Sequence, residues 1–128
     1  MTMEKAKMIT KRERELERHS INIEKLAKQI LKDMGIKLHY LGFEYWTKAI
    51  LIMIEIEITN KPKLRMMELY YMVAKRFNTT ASRAERAMRY AYESLDLNSY
   101  FNVTYKINNA ALLFLLKDKI LEEIKTMP

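Results

Sequence analysis

Apolar residues recur at helical spacing along most of this chain. From residue 22 to 34, Ile23, Leu26, Ala27, Ile30, Leu31 and Met34 form a one-sided stripe that stops at Gly35, with Asn22 as the expected N-cap. The next segment, Glu44 to Ile58, begins beyond Gly42 and ends before Asn60 and Pro62, and two periods compete in it. Ile54-Glu55-Ile56-Glu57-Ile58 alternates as a strand does, whereas Phe43, Tyr45, Trp46, Ala49, Ile50 and Met53 follow helical spacing. Its length exceeds the usual strand, so the pattern favours a buried helix and leaves the strand open. Leu64 to Phe77 carries Met67, Tyr70, Tyr71, Ala74 and Phe77 along one side and reads as a helix.

The run Phe77-Asn78-Thr79-Thr80 interrupts that pattern. Asn78 suits a left-handed turn position, and a threonine suits the cap of the next helix. That helix is predicted over Thr80–Leu95, with a short helical turn within Asp96–Asn102 and a leucine-rich last helix over Ala110–Thr126 capped by Asn108 or Asn109. Residues 1–20 alternate charges and have little to bury. Ile9, Leu16, Ile23 and Ile30 recur every seventh residue, but Arg12 and His19 occupy the intermediate positions, so a helical extension or basic arm is expected there rather than a coiled coil. The chain divides on this reading into a charged extension over 1–20 and a helical domain over 21–128.

Composition narrows the fold further. With only two Gly and two Pro among 128 residues, helices with short connections fit better than a many-stranded sandwich. No cysteine is present, which removes disulfides, thiolate metal sites and a cysteine nucleophile. The N-terminus lacks the apolar core of a signal peptide, and the longest apolar run, Ala49 to Ile54, is too short for a bilayer. No membrane association is expected, and a soluble cytoplasmic protein is. Net charge is +7, and Lys61 to Glu93 holds eight Lys/Arg against three Glu. Such a concentration points to a polyanion, because phosphate contacts release counterions. A solvated basic face without a partner fits the charge alone equally well.

The helix Thr80–Leu95 is where charge and periodicity coincide. With Arg83 at zero and 100° per residue, Ala84, Ala87, Met88, Ala91 and Leu95 fall between about 40° and 140°. Thr79, Ser82, Arg83, Arg86, Arg89, Tyr90 and Glu93 fall between about 240° and 360°, with Glu85 at the edge near 200°. Small residues on one face permit close packing while long polar ones project from the other. A helix, a four-residue turn and a second helix with such a face are what a helix-turn-helix DNA reader requires. Arginine forks bond guanine O6 and N7, a carboxylate accepts from cytosine N4, and Thr79, Thr80 and Ser82 suit phosphate oxygens. The bland alternative is an amphipathic surface helix with Ser82 and Glu85 as a capping box.

Two blocks carry a family resemblance. Leu69-Tyr70 with the run Ala74-Lys75-Arg76-Phe77-Asn78-Thr79-Thr80-Ala81-Ser82-Arg83-Ala84-Glu85-Arg86-Ala87-Met88-Arg89-Tyr90-Ala91 closely resembles the C-terminal effector domain of the master sporulation response regulator of endospore-forming Firmicutes. Gly35-Ile36-Lys37-Leu38-His39-Tyr40-Leu41-Gly42-Phe43-Glu44-Tyr45 looks like that family's Gly-His-Gly-aromatic segment. The similarity extends over about residues 22–127. It implies an all-α fold of about six helices, a helix-turn-helix in a winged-helix-like effector domain without a substantial wing, in which Glu44–Ile58 is helical. It also implies a transcription regulator that binds a short operator box in double-stranded DNA. Carried over by position, Arg83 and Glu85 read bases, while Ser82, Arg86 and Arg89 make further groove or phosphate contacts.

The sequence departs from that family in places. Tyr90 stands where the family usually has histidine, and the connections Glu93–Phe101 and Asn102–Asn109 are shorter, so a basic phosphate contact there falls to Lys106 if to any residue. No receiver domain precedes the resembling region in these residues, so phosphorylation in cis is not expected to be the switch. Besides DNA, the resemblance leaves a second copy in a dimer or tandem array, RNA polymerase and a related sporulation regulator as partners. The alternative function is an interaction protein that modulates the full-length sporulation regulator by mimicking its effector domain. His19 and His39 are the only histidines and lie apart, so neither a metal site nor histidine catalysis is expected. A structural hydrogen bond is expected for His39, and core positions for Phe43, Tyr45, Trp46 and the ten methionines. No phosphate loop, nucleophile elbow or paired acids occur; an enzyme and a cofactor are not expected.

Overall fold

In the computed structural model, residues 22–126 are described and contain six helices and no strand. They are α1 (22–34), α2 (Leu41–Ile58), α3 (Met66–Arg76), α4 (Ala81–Tyr92), α5 (Leu97–Phe101) and α6 (Asn109–Thr126). The charged extension expected over 1–20 lies outside the described residues. Asn22 is already inside α1, not its cap. α4 ends at Tyr92, short of the expected Leu95, and Glu93 and Ser94 continue as a turn.

The ends of these helices show how a chain with two glycines turns corners. At Gly35, Asn60, Asn78 and Asn102 the backbone enters the left-handed region, with φ of 102°, 54°, 53° and 55°. The next residue's N–H then reaches back to a carbonyl five positions earlier: Ile36 to Leu31 (3.0 Å), Lys61 to Ile56 (3.1 Å), Thr79 to Ala74 (2.9 Å) and Val103 to Asn98 (3.1 Å). Each closes carbonyls that the helix leaves without partners. Asparagine tolerates this conformation better than other side chains, so it substitutes for glycine three times. The left-handed position expected at Asn78 is therefore present, and it recurs at two asparagines that the sequence pattern did not single out.

α2 is the central element, packing against α3, α4 and α6. It begins at Leu41, three residues earlier than expected, and takes Gly42 into its first turn. Phe43, Tyr45, Trp46, Ala49, Ile50, Ile52 and Ile54 are all buried, which is more of the helix circumference than one stripe. Ile54 is fully buried, Ile56 partly so, and Ile58 is exposed, as a helix leaving the core requires. The buried Thr47 hydroxyl donates back to Phe43 O at 2.9 Å, so it brings no unsatisfied group into the interior.

The face of α3 differs from the expected one. Leu69, Tyr70, Val73 and Ala74 are buried, whereas Met67 and Tyr71 are 59% and 62% exposed. Both stripes satisfy the spacing rule, because α3 has apolar residues nearly all round. What selects the buried one is that α2 and α4 lie on that side.

α2 and α4 approach closely at Gly42. A Cβ placed there would lie 2.6 Å from Ala91 Cβ and would also collide with the Ala87 carbonyl oxygen. A turn further on, Trp46 is fully buried, and its indole Nε1 donates to Met88 O at 2.7 Å. Gly42→Ala sets a better helix former, worth about 1 kcal/mol, against overpacking of about 1–3 kcal/mol. Because one obstacle is backbone that cannot rotate away, destabilisation is expected, and urea unfolding measures it. At Asn78 the expectation reverses by residue: Ala is expected to destabilise by about 1 kcal/mol and Gly to be neutral or slightly stabilising. Equal midpoints for Asn78→Ala and the parent would contradict the assigned left-handed closure.

Candidate nucleic-acid interface

α3, the turn Phe77–Thr80 and α4 form the helix-turn-helix unit. Its turn is held at both ends by backbone bonds. The Thr79 N–H is taken by Ala74 O, and Thr80 Oγ1 accepts from Arg83 N at 3.2 Å while Thr80 O accepts from Ala84 N at 2.9 Å. Thr80 is thus the N-cap of α4. Ser82 then falls in the first turn of the helix, so the Ser82–Glu85 capping box is not formed, and the serine side chain stands exposed.

The inward face of α4 is the expected small-residue one. Ala84, Met88 and Ala91 are buried, and Ala87 and Leu95 are partly so. Outward, Thr80, Ser82, Arg83, Arg86, Arg89 and Tyr90 are exposed, while Thr79 and Glu85 are half-buried. Arg83, Arg86 and Arg89 climb the helix in steps of about 4.5 Å, a span of about 9 Å. Glu85 and Arg89 meet at the edge of this face, with Nε to Oε1 at 3.2 Å and a longer second contact at 3.5 Å. Glutamate four residues before arginine is the favourable order, yet such an exposed pair contributes only about 0.3–0.5 kcal/mol. Either side chain can therefore leave the other at small cost.

Both edges of the face are buttressed. On one side Tyr90 leans on Tyr40 with ring centroids 5.3 Å apart, and Lys37 lies over the Tyr40 ring at 5.7 Å. His39 in the same connection is exposed and meets the Tyr40 ring edge-on at 4.9 Å, an aromatic contact where a structural hydrogen bond was expected. On the other side lies an open polar hollow of about 640 Å³, lined by Glu85, Arg89, Tyr92, Asn109 and Lys106 among others. Lys106 thus lines the same hollow as the Glu85–Arg89 pair.

At the floor of that hollow, Asn109 ties three helices together. Tyr92 OH donates to its Oδ1 at 2.7 Å, and its Nδ2 donates to Tyr70 OH at 3.0 Å and to Glu85 O at 3.4 Å. One buried amide thereby fixes α6 against both helices of the helix-turn-helix. The sequence offered Asn108 and Asn109 only as alternative caps. Asn108 is the cap, accepting from Ala111 N at 2.9 Å, which frees Asn109 to point inward.

Residues 27–120 match the family model for Sporulation initiation factor Spo0A C terminal. The chain belongs to this family. The match runs from within α1 into α6 and includes the whole helix-turn-helix. A DNA-binding transcription-regulator domain follows from membership, as the resemblance implied, and the all-α fold agrees. Among the described residues, no helix is long and apolar enough to cross a membrane.

Burial gives the Spo0A C-terminal fold an alkaline limit. It raises the Tyr92 phenol from 10.0 to about 12, and it raises Tyr70 as well. The fold thus favours the neutral phenol. That contribution is whole below pH 10, where the unfolded phenol is also neutral, and is lost as pH climbs from 10 through 12. Tyr92→Phe is expected to flatten this fall in thermal melts between pH 9 and 12. At neutral pH the same variant is expected to cost about 1–3 kcal/mol, because Asn109 Oδ1 loses its donor.

Proposed function

We propose that this domain, spanning residues 21–128, regulates transcription by laying α4 in the major groove over a short operator box in double-stranded DNA. The observation that carries this reading is the exposed face of Ser82, Arg83 and Arg86 on a helix whose opposite face is seated on α2. Arg83 bonds guanine O6 and N7, and Glu85 accepts from cytosine N4 once Arg89 has turned to a phosphate. Arg86 and Arg89 hold the backbone. Ser82 and the first N–H groups of α4, left without helical partners, add phosphate bonds from the positive end of the helix. Thr79 and Thr80 act through backbone placement more than through their hydroxyls, since Thr80 Oγ1 already caps α4. Tyr90, braced by Tyr40, contacts the sugar-phosphate wall at the rim.

A single recognition helix reads few bases, so binding is expected to use a second copy on a neighbouring box. The test is competition between an operator-type duplex and a scrambled duplex across a salt titration. A preference of at least about 10³-fold is expected. Arg83→Ala should lose about 1–3 kcal/mol on the operator and relax preference at one base pair. Arg89→Ala should weaken both duplexes alike and reduce the salt slope by about one. Wild-type discrimination by Arg83→Ala would remove Arg83 from the reading head.

A further inference from the structure

The second face of α3 carries a feature that DNA reading does not use. Between α3 and the C-terminal half of α2, closed by the connection 61–64, runs an open groove of about 770 Å³. Its floor is apolar, made by Ile52, Ile56, Leu64 and the side chain of Met72, which is 44% exposed. Its rim is cationic: Lys48, Lys61, Lys75 and Arg76 stand around it against one carboxylate, Glu55. None of the residues lining it belongs to α4. Lys75 and Arg76 also suit the C-terminal end of α3, but Lys48 lies within α2, away from either helix end, and has no such role.

We propose that this groove docks a short acidic amphipathic helix of a partner protein while α4 remains available to DNA. Two features select that occupant. The rim demands negative charge, and the floor demands apolar side chains at the same place. A nucleic-acid backbone satisfies the first and gains nothing from the second. An amphipathic helix with leucines on one face and glutamates on the other satisfies both. The flexible Met72 thioether adapts to the shape of the inserted side chains. Electrostatic complementarity of this kind sets partner choice and association rate.

The probe is a fluorescein-labelled synthetic helix with leucines on one face and glutamates on the other. Its control is the same peptide with lysine in place of each glutamate. Anisotropy is expected to show saturable binding of the glutamate peptide and at least tenfold weaker binding of the lysine peptide. Amide resonances of Ile52, Ile56 and Met72 are expected to shift on addition. Met72→Glu and Lys48→Glu, both at sites outside the α4 interface, should each weaken the peptide at least tenfold and leave duplex affinity within twofold, which also confirms that they fold. Equal affinity for the two peptides, or unchanged affinity in both variants, overturns the proposal. So does a tenfold loss of duplex affinity in Lys48→Glu with peptide binding intact, which would make the rim a phosphate track. Shifts at the same amides on raising protein concentration without peptide would assign the groove to a second copy of this chain and overturn it equally.

Discussion

The closeness of α2 and α4 governs the rest of the molecule. Gly42 removes a side chain where the α4 backbone passes, the alanines of α4 keep its inner face low, and Trp46 reaches across to Met88 O. These are not independent conveniences. A side chain at 42 would lift α4, and the indole would then lose an acceptor inside a dry core, where an unmade bond costs about 1–3 kcal/mol. The outward face of α4 is consequently held by its inward one. Its arginines are presented by a helix that cannot roll or rise without breaking buried contacts, the kind of support a recognition surface needs.

A second layer of control comes from polar groups used sparingly. Among the described residues Thr47 and Asn109 are the buried polar side chains, and both are satisfied. Asn109 is the more consequential, because it bridges α6 to Tyr70 of α3 and Tyr92 of α4 and takes in the Glu85 carbonyl. The backbone of Glu85 is thereby anchored while its carboxylate remains in solvent-facing exchange with Arg89. A fixed main chain thus lies beneath side chains that remain free to choose other partners.

The surface is divided to match. Basic residues on α4 face outward, with Tyr40 at one edge of that face and the hollow lined by Lys106 at the other. Lys61, Lys75 and Arg76, together with Lys48 of α2, instead surround an apolar groove that no α4 residue lines. The positive cluster that the chain shows as a linear string is therefore divided between two surfaces of different chemistry, one mainly polar and one with an apolar floor.

Much of this was legible in the chain itself. The helical spacing, the break at Phe77–Thr80, the left-handed Asn78 and the two faces of α4 come from local rules, since cap chemistry and the 3.6-residue period act within a few residues. The fold class and the helix-turn-helix were not settled by those rules, which left a strand open over Ile54–Ile58 and a plain surface helix open at α4; the family resemblance decided both. Tertiary structure alone decided which of two equally periodic stripes of α3 is buried, because that depends on where α2 and α4 lie. It decided that α2 starts before Gly42 and buries more than half of its circumference, where a single-stripe pattern carries little information. It also decided that Asn109 turns inward while its neighbour caps, and that Tyr40 stands against Tyr90. Each of these joins residues far apart in sequence or chooses between adjacent residues of equal propensity, and only packing distinguishes them.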